Sequence, residues 1–265
     1  MMQSRPLNRV QQRVAADELA LGLIVRLARS ADIALVARAS DHDFVFVDTQ
    51  HALMDATEVA GIINGALAHG VAPIVRVRSC DDPSIPLYLD AGALGIIVPN
   101  VDRAEQARRA VRASKFPPVG YRSHPGPLRL FDYGDVPSAE AMAAINGATL
   151  VICMIESREG VQNAEAIAAV VGVDALHVGC VDLHADWGCS LGDPTVTAAI
   201  TGVIAAARRH RRIAGVGGDR DPDRIAGYIA AGARLLTTHI DLSLLMAEAA
   251  RATAGLRGLR SRTRD

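Results

Sequence analysis

The feature that most constrains this chain is a pair of short apolar runs within residues 150–192, LVICMIESREGVQNAEAIAAVVGVDALHVGCVDLHADWGCSLG. Aliphatic runs of that length, bounded by glycine and polar residues and separated by a helix, read as two parallel strands joined by a crossover. The first run ends in Glu156 and the far end of the second reaches Asp182, so both carboxylates are expected at the same end of neighbouring strands. Adjacent strands lie about 4.8 Å apart, close enough for two carboxylates to share one hard divalent cation. Taken alone, the segment also admits a plainer reading, in which each acid is a helix N-cap or first-turn charge.

The same rhythm runs through most of the chain. Strands are expected over residues 19–25, 44–47, 73–77, 94–98, 213–216 and 234–237, besides the two above. Helices are expected over 32–39, from DTQHALMD to about 69, and over 84–90, 102–113, 138–146, 194–210 and 221–231, with a last helix from about 242. Eight strands alternating with helices, with no linker-like break, predict an α/β fold, a closed (β/α)8 TIM barrel, for which about 250 residues is ordinary. A doubly wound open sheet is the alternative, but neither G-x-G-x-x-G after the first strand nor G-x-x-x-x-G-K-[ST] anywhere supports nucleotide binding. We expect a leader over 1–18, a single barrel domain over 19–256 and a basic, frayed tail over 257–265. The proline- and glycine-rich stretch 115–137 breaks the rhythm, and irregular segments of that length are usually functional or mobile.

Composition excludes several classes. A net charge of −1 with acids and bases intermixed leaves no footprint for nucleic acid or a membrane surface. Only nine residues are aromatic, too few for base-stacking platforms. The N-terminus lacks the apolar core of a signal peptide, and no segment gives about 18 uninterrupted apolar residues, so a cytoplasmic protein without a membrane span is expected. Cys80, Cys153, Cys180 and Cys189 are scattered without a C-x-x-C, which argues for reduced thiols. A single lysine, Lys115, stands against 27 arginines. It falls at a helix end, where a solvated charge is expected, so a Schiff-base mechanism lacks its nucleophile.

In a barrel, catalytic groups collect at the C-terminal ends of several strands. The second strand would deliver Asp48 and His51, the third Arg76, the fifth Glu156 and the sixth Asp182. Asp48 precedes His51 by three residues and could hold its imidazole in one tautomer. Structural alternatives stand for each: a helix cap for Asp48, a helix-start or core position for His51, and a surface ion pair for Arg76 or Arg78. His177 reads as a packed core residue, and His184 and Asp186 as loop surface that could add ligands.

Several stretches together resemble the HpcH/HpaI family of metal-dependent pyruvate aldolases. They are FVFVDTQHALMD, APIVRV, GALGIIVPNVDRAEQARRAV, FPPVGYRS, ICMIESREGVQNAEAIAAVVGVDALHVGCVDL and AGVGGDRDPDRIAGYIAAGARLLTTHID, in the family's order. The resemblance implies a barrel of the phosphoenolpyruvate/pyruvate-binding type whose last helix is exchanged between subunits of a dimer or hexamer. It implies Glu156 and Asp182 as ligands for Mg, Mn or Co, His51 as the catalytic histidine, Asp48 as its orienting aspartate and Arg76 facing the substrate carbonyl. Gly179, Cys180 and Val181 would grip the pyruvate carboxylate, with Gln50 beside the substrate where the family usually has an acid. The family's G-P-x-D-L-S stands here as Gly179-Cys180-Val181-Asp182-Leu183-His184, and Ser123 replaces a glycine in the long stretch. The implied activity is that of a metal-dependent aldehyde-lyase acting on 4-hydroxy-2-oxo acids, with a 2-oxo acid and an aldehyde as its small-molecule partners. The departures keep two alternatives open: a decarboxylase or carbon–carbon bond-forming synthase using the same enolate, and a catalytically silent barrel that serves as a binding partner.

Overall fold

The computed structural model describes residues 8–262. Eight parallel strands close on themselves in sequence order. They are β1 (Ala20–Val25), β2 (Phe44–Asp48), β3 (Ala72–Arg76), β4 (Gly95–Val98), β5 (Leu150–Ile155), β6 (Ala175–Gly179), β7 (Ile213–Gly217) and β8 (Leu235–Ile240), and β8 pairs with β1. The strands read as continuous apolar runs because both faces are covered. Phe44, Phe46, Ile74, Ile97, Ile152 and Met154 fill the barrel interior. The alternate phase, including Val45, Val75, Ile96, Val151 and Val178, packs against the surrounding helices.

The lower end of the barrel is closed by a segment expected to be a leader. Within it, the helix Arg9–Ala15 is capped by Asn8, whose carboxamide oxygen accepts from the Val10 N–H. The Asn8 amide group donates to the carbonyls of Leu94 (2.9 Å) and Ala148 (2.8 Å), and Val10 joins the interior cluster. A buried amide that satisfies a loop carbonyl and a helix-end carbonyl ties this helix to the domain; residues 1–7 of the expected leader lie outside those described. At the other terminus, the helix Asp241–Arg262 runs through most of the expected tail, and residues 263–265 lie outside the described part. Its first residue is sewn to the end of β1, the Asp241 carboxylate accepting the N–H groups of Arg26, Leu27 and Ala28. Farther along, Leu245, Met246, Leu256 and Leu259 are all more than half exposed, an apolar surface this chain does not itself cover.

Three further expectations change. The helix after β2 starts at Ala56, where Asp55 and Glu58 form a reciprocal capping box, so Gln50 and His51 sit in a loop. The stretch 115–137 joins the helix Ala104–Ser114 to the helix Ser138–Ala148, which leads into β5, and so lies at the barrel end opposite the strand C-termini. It carries its own apolar cluster of Phe116, Leu128 and Phe131. Lys115 is buried, not solvated. Its Nζ donates to the Asn146 carbonyl at 2.7 Å and lies 3.0 Å from Asp174, which precedes β6 at that same lower end.

Candidate active site

Register brings Asp48 beside Arg76 at the upper ends of β2 and β3. The pair is buried and bidentate, Arg76 Nε to Asp48 Oδ1 at 2.9 Å and Nη2 to Oδ2 at 2.5 Å. Arg26, immediately after β1, adds a third bond from Nε to Oδ2 at 2.5 Å. The backbone N–H groups of Gln50 and His51 also donate to Oδ1, at 3.1 and 3.3 Å. Burial raises the Asp48 pKa, but the hydrogen bonds and charge of Arg76, then Arg26, outweigh it and hold the carboxyl below the usual range. Asp48 therefore positions Arg76 and the loop backbone. Its contact with His51 runs through the main chain, whereas sequence spacing suggested the imidazole. The His51 ring lies at the exposed rim, and its pKa is lowered by burial and by the Arg76 charge, against the opposing pull of Asp48 and Asp182. A neutral imidazole is the form that accepts a proton.

Across the mouth the balance of charge is reversed. Glu156 follows β5, is 4% exposed, and accepts the Asn100 N–H at Oε2 (3.0 Å). A Cβ at Gly179 would lie 2.5 Å from Glu156 Oε1, so that glycine makes room for the carboxylate. Asp182 lies in the first turn of the helix Cys180–Trp187, which starts as soon as β6 ends; it was expected at a strand end. The helix turns it into the mouth all the same, where both acids line one cavity of about 480 Å³. Burial above all pushes Glu156 up to about 7, and Asp182 adds to this by charge and hydrogen bonding; the Asn100 N–H and Arg76 offset only part. Two facing carboxylates that lack a sufficient local counter-charge make an all-oxygen donor pair suited to a hard dication, which commonly completes its shell with water and substrate oxygens. No cluster of three or more His, Cys, Asp or Glu side chains suited to a metal occurs among the described residues.

The remaining expected residues divide. Gly179, Cys180 and Val181 line the same cavity, with the Cys180 and Val181 N–H groups at the helix start. The Cys180 thiol is buried and pushed up to about 12 by that burial, so it serves as packing. Gln50 does not reach the mouth. It lines a neighbouring cavity with Arg78 and Tyr88, bordered also by His51, and its buried Oε1 has no hydrogen-bond partner among the described residues. His184 and Asp186 tie down their own helix, through the Cys189 carbonyl and the Arg158 N–H respectively.

Sequence reading missed Arg26, Met154, Thr237 and Arg220 as lining residues, and placed His177 in the packed core. His177 is indeed buried, but it also lines the cavity. The signal was its phase, because His177 shares alternation with Gly179 and so points inward. Arg26 had a weaker signal, a charge one residue beyond an apolar strand.

A closed (β/α)8 barrel with paired carboxylates, a buried arginine and a neutral histidine at the strand C-termini defines a lyase-like mouth. The HpcH/HpaI aldolase/citrate lyase family model matches residues 22–247, and the chain belongs to that family. It is 34% identical over 215 residues to a 4-hydroxy-4-methyl-2-oxoglutarate aldolase of Hapsidospora irregularis, covering 80% of each chain. It is 33% identical over 244 residues to a hydroxypyruvate/pyruvate aldolase of Pseudomonas aeruginosa, covering 91% of this chain and 90% of the relative. Among solved structures, an HpcH/HpaI aldolase from Desulfitobacterium hafniense DCB-2 superposes with a TM-score of 0.87 at 28% identity, covering 93% of this chain and 96% of the other. No helix among the described residues is long and apolar enough to cross a membrane.

Proposed function

We propose that this chain is a divalent-metal-dependent pyruvate aldolase that cleaves or forms 4-hydroxy-2-oxo acids. The observation that carries the reading is the under-compensated Glu156–Asp182 pair facing a neutral His51 and a fixed Arg76 across one cavity. The relatives from Hapsidospora irregularis and Pseudomonas aeruginosa are both aldolases, which supports it. Glu156 and Asp182 would hold the cation, Mg, Mn or Co. The chemistry supplied there is Lewis-acid polarisation of the ketone of a 2-oxo acid.

The chain's own groups do the rest. The N–H groups at the start of the helix Cys180–Trp187 receive the substrate carboxylate, where a helix N-terminus favours an anion. His51 removes the proton of the C4 hydroxyl, the C3–C4 bond breaks, and C4 leaves as a carbonyl compound. The electron pair stays on the three-carbon fragment as an enolate, beside the positive guanidinium of Arg76. Protonation at C3 gives pyruvate, and the reverse sequence forms the bond. Asp48 takes no proton; it fixes Arg76. The apolar side of the helix Asp241–Arg262 packs on another copy of the chain in this reading, and light scattering of Leu245→Asp/Leu256→Asp should report a smaller assembly than wild type.

The test is proton NMR of pyruvate in D2O with the full chain, with Mg and after chelation. Metal-dependent loss of the methyl signal, absent in Glu156→Gln, is the expected result. No exchange with Mg, Mn or Co would overturn the enolate chemistry. Product analysis with oxaloacetate then distinguishes an aldolase from a decarboxylase.

A further inference from the structure

The ladder between β5 and β6 ends at Ile155 and Val178, short of both Glu156 and Asp182, so strand pairing does not fix the gap between the two carboxylates. A set of contacts outside the cavity does. Asp182 and Asp186 stand four residues apart on the helix Cys180–Trp187 and project from the same face. The Asp182 carboxylate enters the cavity. That of Asp186 reaches across to the exit of β5, where Oδ2 accepts the Arg158 N–H at 2.8 Å. Arg158 comes two residues after Glu156 and grips the same helix in return. Its Nη2 donates to the Trp187 carbonyl at 3.0 Å, and its guanidinium carbon lies over the Trp187 ring, 5.5 Å from the centroid. The last turn of the helix that carries Asp182 is thereby joined at three points to the segment that carries Glu156.

The opposite flank of the Glu156 segment is held as well. Ser157, between Glu156 and Arg158, donates through Oγ to the Asp102 carboxylate and accepts the Gly160 N–H at 2.9 Å. Asn163 Nδ2 adds a bond to the Asp102 carbonyl at 2.7 Å. Asp102 belongs to the stretch after β4 whose Asn100 N–H donates to Glu156 itself. With Glu156 fixed from the β4 side, the contacts of Asp186 decide how far Asp182 stands from it.

We propose that Asp186, with Arg158 and Trp187, is a brace that sets the separation of Glu156 and Asp182 and, through it, the size of the cation that the pair accepts. This rests on the metal-dependent reading of those two carboxylates. Asp186 lines no part of the cavity and acts through the helix it shares with Asp182, so it is a positioning residue. A small dication such as Mg demands near-ideal octahedral geometry with oxygens at about 2.0–2.1 Å, whereas Ca accepts about 2.3–2.6 Å in a flexible shell. Loosening the gap therefore costs Mg more than Ca. Electrostatics alone predict another pattern, because removal of a nearby negative charge weakens both dications together. Asp186→Ala and Asp186→Asn remove the same charge, but the carboxamide keeps an oxygen that accepts the Arg158 N–H.

The test is calorimetry of Mg and Ca binding to the full chain without substrate. Asp186→Ala should weaken Mg about tenfold or more, the scale of substitutions behind a metal ligand, and Ca by no more than about threefold. Asp186→Asn should stay within about threefold of wild type for both ions, with the Mg-to-Ca ratio unchanged. The Asp186 side chain is 44% exposed, so neither substitution disturbs the barrel core. Trp187 is the only tryptophan of the chain and reports on the brace directly. Its emission in the metal-free protein should shift to the red in Asp186→Ala and stay in place in Asp186→Asn. Equal losses in the two variants, or equal losses of Mg and Ca in Asp186→Ala, would assign the effect to charge and overturn the brace. A displaced Trp187 emission with unchanged Mg affinity would overturn it too. In each of those cases, wild-type binding that disappears in Glu156→Gln leaves the metal-dependent reading standing. A wild type that binds none of Mg, Mn and Co removes that reading and the brace with it.

Discussion

The two sides of the barrel mouth handle charge in opposite ways. On the β1–β3 side, one buried carboxylate is matched by two arginines and two backbone N–H groups, so Asp48 is saturated and its pKa depressed. On the β5–β6 side, Glu156 faces another carboxylate with a single backbone donor to help it, and its pKa is pushed up to about 7. A carboxylate so saturated is held rigidly and has no capacity left for a cation. An under-compensated one is poised to take up positive charge. The difference teaches that the first side builds the frame of the site and the second builds its binding function, although both are written in the same residue types.

Breaking the saturated side should cost most in stability. Asp48→Ala leaves the Arg76 guanidinium buried without its partner, and a loss of about 3–5 kcal/mol in urea unfolding is expected. A change below about 1 kcal/mol would show that the network does not frame the site. The open side should respond in the opposite sense. Glu156→Gln should lower metal-dependent pyruvate exchange by about 100-fold or more, while raising the thermal midpoint of the metal-free protein because a disfavoured buried charge is gone. A lowered midpoint would mean that Glu156 is structural, like Asp48.

The comparison sharpens with pH. Because the folded-state pKa of Asp48 is depressed, its contribution is present above the ordinary carboxylate value of about 4 and is lost as pH falls through the lower folded value. The stability gap between wild type and Asp48→Asn should therefore be full at pH 6 and shrink below about pH 4. A gap independent of pH would assign the effect to packing. The smallest effect expected lies far from either side, at the closed end of the barrel. Asn8→Ala removes a helix cap and two buried hydrogen bonds, and should cost about 1–3 kcal/mol without changing the affinity for Mg measured by calorimetry.

What was legible in the sequence was whatever depends on local order. Apolar runs at strand length, alternating with helical segments, specify strands buried on both faces, and from that follow the barrel and the end at which its polar residues gather. Asp48 and Glu156 could be placed at that end because each closes an apolar run, and Arg76 because it lies next to the end of one, properties of the chain taken alone. Partnership between strands could not be read in that way. Whether Asp48 serves His51 or Arg76 depends on the register of β2 against β3, and Arg26 enters only because the barrel closes β1 against β2. His177 and Thr237 lie on β6 and β8, so only the cylinder gathers them around Gly217. Lys115 is the converse case: its sequence position gave a solvated helix end, and burial against Asp174 came from the packing of a loop more than 30 residues away along the chain. The sequence by itself determined the elements and their facing, because these follow from the period of the apolar residues and the chemistry of the caps. Tertiary structure alone decided which charges are compensated and which are left open, because that depends on distances between residues remote in sequence and on how far each pair is removed from water.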